Sequence, residues 1–210
     1  MNARRENKHM KNIFETMQWI REPGHVVYRD ETMEVTTKPH TDLWQNTYYH
    51  FCNDNAPVCV MDIEDPYFTM TVKTDFDSAH HRFDQCGVVI YQDTENWLKA
   101  SCEYENETFS NLGSVVTNHG YSDWAVTEIS PENKTIWYRL SRREDDYRIE
   151  YSFDGIVFHM MRIAHLIKGK GTIRIGVYAC SPEESSFTAV FSSLAFGPCL
   201  WQAHDGQQPD

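Results

Sequence analysis

The sequence lacks the features that mark a membrane, nucleic-acid or metal-binding protein. No stretch of its 210 residues approaches the ~20 apolar positions of a membrane-spanning helix. Basic residues are scarce, 19 Lys and Arg against 31 Asp and Glu, which leaves a formal net charge of −12. A basic stripe for phosphates is therefore not expected, which argues against nucleic acid and anionic membrane surfaces as partners. The cysteines Cys52, Cys59, Cys86, Cys102, Cys180 and Cys199 form no C-x-x-C pair, so no structural zinc site is expected. The tract "DFDSAHH" groups acids with histidines, but Asp75 and Asp77 have no anchored geometry, and no metal is expected there. No phosphate loop, glycine-rich dinucleotide motif or G-x-S-x-G elbow appears, so no cofactor is expected. The opening "MNARRENKHMKN" has no apolar run of the kind a secretory signal carries. A cytoplasmic protein with reduced thiols is the expectation.

What the chain does have is aromatic residues, 13% of the total, with 11 Phe, 11 Tyr and 6 Trp. Flat, bulky rings pack well on a pleated surface and favour strands. Strand-like segments follow one another with turn residues between them: "TMEVTTKP", "DLWQNTYYHFCND", "APVCVMDIE", "YFTMTVKTDF", "CGVVIYQDTENWLKASCEY", "LGSVVTN" and others to "FTAVFSSLAFG". That is roughly a dozen strands, with "NIFETMQWI" a short helix or first strand and "IAHLIKG" one helical turn. No linker composition divides the chain, so residues 12–200 are expected to form one domain. Residues 1–11 are expected to be disordered and 201–210 a mobile tail. Many short strands with regular turns predict an all-β fold, two antiparallel sheets packed face to face.

Alternation sorts each strand into two faces. In "WLKASCEY", Leu98, Ala100, Cys102 and Tyr104 read as core, against Trp97, Lys99, Ser101 and Glu103. In "DQCGVVIY", Cys86, Val88 and Ile90 read as core, against Gln85, Gly87, Val89 and Tyr91. Gly87 is expected to leave room for something to approach the sheet. "DLWQNTYYHF", read as one strand, puts Asp42, Trp44, Asn46, Tyr48 and His50 on one face. Trp137, Arg139 and Ser141 share a face, as do Arg174, Gly176 and Tyr178. Indoles mixed with an amide, an amine and a carboxylate suit a groove, because an unpaired charge in a dry core loses its hydration. Sugar rings present C–H faces to indoles and hydroxyls to polar rims. An ordinary solvated sheet face has the same alternation.

"CEYENE" places Glu103, Glu105 and Glu107 at alternate positions. A retaining glycosidase needs two carboxyls about 5 Å apart. The polar segment "NETFSN" predicts that the strand ends near Tyr104, leaving Glu105 and Glu107 in solvent. Glu103, with Lys99 four residues away on its face and Arg139 brought near from another strand, is then a ligand-bonding carboxylate, half of an acid–base pair with Asp123, or part of an ion pair across the sheet. "YSDWA" reads as a rim loop, or as a turn plugged by Trp124.

The strings "FDQCGVVIYQDTENWLKASCEY", "VVTNHGYSDWA", "WYRLSRREDDYRIEYSFDG" and "GVYACSPEESSFTAVFSSL" resemble the regulation-of-enolase family. The resemblance spans about residues 20 to 198. It rests on the set D-Q-x-G, W-x-K-x-x-x-E, S-D-W and S-x-D-G. It implies a concanavalin A-like lectin/glucanase jelly roll of two curved antiparallel sheets, the concave one forming a cleft. Trp44, Gln85, Trp97, Lys99, Glu103, Ser122, Asp123, Trp124 and Arg139 fall on recurring family positions. His50 and Tyr178 join them from the face pattern. The chain departs from the family at Cys86, usually a small residue, but that side chain reads as core. The expected function is a non-catalytic protein holding a carbohydrate or sugar-like ligand. A metabolic enzyme is the expected protein partner, since one family member is linked by name to regulating enolase. The alternative is a glycoside hydrolase using Glu103.

Overall fold

A computed structural model describes residues 12–48 and 50–202. The disorder expected of residues 1–11, and of all but the first two residues of the expected tail, lies outside that range. A 3-10 turn at Ile13–Thr16 buries Phe14 and is capped by Asn12, whose side chain accepts from the Phe14 amide at 3.0 Å. Strands follow: β1 Gln18–Arg21, β2 His25–Arg29, β3 Thr32–Thr36, β4 Leu43–Gln45, β5 Cys52–Asp54, β6 Val58–Ile63, β7 Tyr67–Asp75 and β8 Gln85–Asp93. Then come β9 Asn96–Tyr104, β10 Ser110–Asn118, β11 Tyr121–Ile129, β12 Thr135–Arg143, β13 Asp146–Ser152, β14 His159–His165, β15 Ile173–Cys180 and β16 Thr188–Pro198. The segment "IAHLIKG" is no helix, because its first three residues complete β14, paired to β13 through His165 and Asp146. No helix of the described residues is long and apolar enough to cross a membrane.

Two seven-stranded antiparallel sheets result. One runs β1-β6-β15-β8-β9-β10-β11 and the other β14-β13-β12-β7-β16-β3-β2. This is the all-β fold of two packed antiparallel sheets that the strand pattern predicts, and the concanavalin A-like jelly-roll sandwich that the family resemblance implies. The inward sets read from alternation meet between the sheets. Cys86, Val88 and Ile90 on β8 and Leu98, Ala100 and Cys102 on β9 join Ile136, Tyr138 and Leu140 on β12 in one buried cluster. All six thiols are free, and four are buried.

A second buried cluster lies on the opposite, outer face of the first sheet. There the β4–β5 hairpin packs Leu43 and Trp44 over Val89, Tyr91, Trp97, Val115 and Tyr178. The hairpin is fastened at both strands. The Gln45 amide donates to Ser122 Oγ at 3.0 Å, and Asn46 Nδ2 donates to the Gly120 carbonyl at 2.8 Å. Asp54 accepts from Tyr91 at 2.6 Å, hydrogen-bonds Thr94 and pairs with Arg21 at 3.1 Å.

Gly87 has a different purpose from the one its sequence context suggests. A Cβ built there would lie 1.9 Å from the Ala100 carbonyl oxygen. The close approach is made by the neighbouring strand, and no foreign group is needed to explain the glycine. Backbone cannot yield as a flexible side chain can, so Gly87→Ala is expected to lower stability by at least about 2 kcal/mol, read as a lower urea midpoint. An unchanged midpoint would contradict the close β8–β9 contact.

Candidate functional site

Strand register sets out the floor of the site. Across the first sheet, Gln85, Glu103 and Asn111 align on β8, β9 and β10. The next row is Gly87, Ser101 and Gly113, and the next Val89, Lys99 and Val115. The hairpin covers the far end of these strands and leaves this end as a recess of about 420 Å³. Asp42, Trp44, Phe51 and Asn53 form its hairpin wall, Arg82, Phe83, Pro182 and Glu183 its loop wall, and Trp124 its edge. Trp44 and Trp124 meet edge to face, their centroids 6.3 Å apart.

Gln85 organises the polar floor. Its Oε1 accepts from Lys99 Nζ at 3.1 Å, Tyr178 OH at 2.8 Å and Ser101 Oγ at 3.4 Å. Its Nε2 donates to the Phe83 carbonyl at 3.2 Å and to Glu103 Oε2 at 2.8 Å. Both amide hydrogens are committed and the oxygen is crowded with donors. Gln85 therefore positions its neighbours and has little capacity to read a ligand. Lys99 is 5% exposed. Asp42 Oδ1, 3.4 Å away, offsets the cost of burying its charge. The ammonium also lies 5.4 Å from the Tyr178 ring and 5.9 Å from that of Trp97.

Glu103 has one oxygen on Gln85, while Oε1 is buried with no hydrogen-bond partner among the described residues. Burial pushes its carboxyl up to about 8. Lys99 pulls the other way, Asp42 and Glu105 add to the rise, and Arg82 opposes it. The side chain accordingly keeps its proton to higher pH than an ordinary glutamate.

Five of the site residues expected from sequence come together here: Trp44, Gln85, Lys99, Glu103 and Trp124. Six do not line the recess. Trp97 is 0% exposed beneath the hairpin, its Nε1 donating to the Thr94 carbonyl. Tyr178 is likewise sealed, supporting Gln85 from below. Ser122 is consumed in holding Gln45 and Thr117. "YSDWA" is no rim loop but the start of edge strand β11, so alternation sends Asp123 to the other face, where it pairs with Arg162 at 2.9 Å. Arg139 sits on the other sheet in a bidentate pair with Glu150, at 2.6 and 2.9 Å. His50 loses Trp44's face because "DLWQNTYYHF" is no single strand. Asn46, Tyr48 and His50 all have positive φ, and the chain reverses after Gln45.

Glu105 also departs from expectation. The strand does end at Tyr104, and Glu107 is exposed. But Asn106 Oδ1 gathers the Thr108 and Phe109 amides into a turn, and Glu105 folds back to pair with Arg82 at 2.7 Å. The "NETFSN" composition signalled the turn but not its direction. Asp42, which alternation puts on Trp44's face, lines the recess too; Asn53, Arg82 and Phe83 reach it from the hairpin and a loop, where sequence periodicity gives no face, and Phe51 from beyond the reversal that breaks the strand pattern.

The fold is an all-β sandwich of two antiparallel sheets, with one outer sheet face partly covered by the hairpin and partly open. The chain belongs to the family described as Protein of unknown function (DUF1349), whose model matches residues 19–199. It is 28% identical over 188 residues to regulation of enolase protein 1 of Saccharomyces cerevisiae, spanning 89% of this chain and 92% of that one. A crystal structure of a functionally unknown protein from Saccharomyces cerevisiae superposes with a TM-score of 0.82 at 26% identity, covering 90% of this chain and 99% of the other. The GH43 BlXynB protein from Bacillus licheniformis gives 0.67 at 19% identity, covering 86% of this chain but 36% of its own. That likeness concerns the fold alone.

The elevated Glu103 carboxyl makes stability depend on pH. The native state holds this proton up to about pH 8, while an ordinary glutamate releases it near pH 4.5. Native protein therefore binds more protons between those values, and stability falls as pH rises through that window. Glu103→Gln, which keeps an oxygen for Gln85, is expected to be more stable than wild type at pH 8 and equal to it below pH 4.5. Urea unfolding across this range checks it. A gap that does not change with pH would show that Glu103 is ionised in the native state.

Proposed function

We propose that this chain is a non-catalytic binding protein that holds a carbohydrate or sugar-like small molecule in the recess. The observation that carries the reading is the pairing of Trp44 and Trp124 with the Lys99–Gln85–Glu103 floor in one cavity. The indoles offer apolar faces to C–H groups, and the fixed ammonium, carboxyl and Ser101 hydroxyl offer partners to ring hydroxyls. The volume lies within the range of small-molecule sites. Regulation of a metabolic enzyme joins the proposal through the name of the yeast relative. A cytoplasmic location does so through the six unpaired thiols.

Titration against a panel of mono- and oligosaccharides, followed by calorimetry, tests this. Trp124 is 41% exposed on an edge strand, so its removal is expected to spare the fold. Trp124→Ala is expected to weaken binding at least about tenfold, in line with loss of a stacking wall. An affinity unchanged by this variant would remove the indole wall from the reading.

A second reading, a glycoside hydrolase, is favoured by the burial of Glu103 in the recess, which raises its carboxyl as a general acid requires. Asp42 lines the same recess as a second carboxylate. Its Oδ1, however, is held by the Leu43 amide at 2.7 Å and by Lys99. Reducing-end release from oligosaccharides separates the readings. The binding reading expects no turnover. Turnover that falls at least about a hundredfold in Glu103→Gln would establish the hydrolase instead.

A further inference from the structure

The recess is bounded along the direction in which an extended sugar chain would cross the strands. The middle row of the floor, Gly87, Ser101 and Gly113, is low because two of its three residues carry no side chain. A chain lying in this trough runs perpendicular to β8, β9 and β10. On β15 the residue in register with Gly87 is Tyr178. It is 1% exposed, and its hydroxyl is fixed to Gln85 Oε1. That end is blind.

The other end meets β11, the edge strand. A Cβ built at Gly113 would lie 3.1 Å from Trp124 Nε1 and 3.0 Å from Val126 Cγ1. The edge strand thus leans its side chains over the trough where a through-going chain would leave. Trp124 is braced edge-on by Trp44 of the hairpin. The trough is a pocket with a stop at each end, whereas a groove for a polymer needs two exits. Its volume of about 420 Å³ sits at the small end of ligand sites.

We propose that the recess accepts a single sugar ring, or the terminal ring of a chain, and excludes internal segments of a polysaccharide; this rests on the sugar-binding reading above. Recognition is then of a free sugar or of chain ends. Affinity saturates once the terminal ring is seated.

Cyclic oligosaccharides provide the test because they have no ends. Calorimetric titration of the intact protein would compare the sugar that binds in the panel, its linear oligomers up to six units, and the cyclic oligomer of the same linkage. The expected result is linear oligomers within about threefold of the shortest ligand, and the cyclic form at least about tenfold weaker. Cyclic and linear forms binding alike, or affinity climbing more than tenfold from two units to six, overturns the end-recognition inference while leaving sugar binding in place. Failure of every sugar in the panel, monosaccharides included, overturns both.

Discussion

The packing of one short hairpin onto a sheet face decides where the candidate site lies. The outer face of the first sheet carries Tyr91, Trp97 and Tyr178, side chains too large and apolar to leave in water without cost. The β4–β5 hairpin covers them with Leu43 and Trp44. Burying a large aromatic side chain contributes roughly 1.5–3 kcal/mol, so the covered half is held firmly. The hairpin ends before it reaches Gly87, Ser101 and Gly113, and the uncovered half becomes the recess. Where the second core stops, the site begins.

Within the recess, the Gln85 amide is the element on which the charged groups depend. It supplies an oxygen to Lys99 and a hydrogen to Glu103 at the same time. Neutral, rigid and anchored by Tyr178 beneath, it holds an ammonium and a carboxyl apart in a setting where each is expensive to bury. Lys99 gains Asp42 as its counter-ion and remains committed. Glu103 gains no cation of its own, and burial raises its carboxyl. Two side chains on one strand face, four residues apart, are thus held by one amide, and burial raises the carboxyl of the one that has no ion-pair partner.

The sandwich and its core were legible because period-two alternation reports burial directly, and the inward sets on β8, β9, β12 and β15 all lie in the central cluster. Alternation also placed Gln85, Lys99 and Glu103 on a shared face. It does not separate the part of that face under the hairpin from the part left open, so alternation alone assigns Trp97 and Tyr178 to the groove although both are core. The hairpin itself was hidden by composition: "DLWQNTYYHF" has strand-favouring residues throughout, but positive φ at Asn46, Tyr48 and His50 breaks it. Asn tolerates that conformation, whereas Tyr at such φ gives no sequence warning. Arg139 failed for a topological reason. A strand's faces can be read from its sequence, but which sheet it joins cannot.

The same geometry bears on how a sandwich of this kind carries different roles. Similar sandwiches form about a third of GH43 chains such as BlXynB, and nearly the whole of the yeast relative. The central core is indifferent to what covers the outer face, because the inward and outward sets of each strand are separate residues. Changes in the hairpin and in the loops bearing Arg82 and Glu183 can therefore reshape the recess without touching the packing between sheets. Gly87 limits that freedom. Its lack of a side chain is required by the Ala100 carbonyl of the adjacent strand, and the low floor it leaves is a by-product of strand packing. A trough in that position is a consequence of how β8 and β9 come together, and a ligand site is what the surrounding indoles, amide and acid make of it.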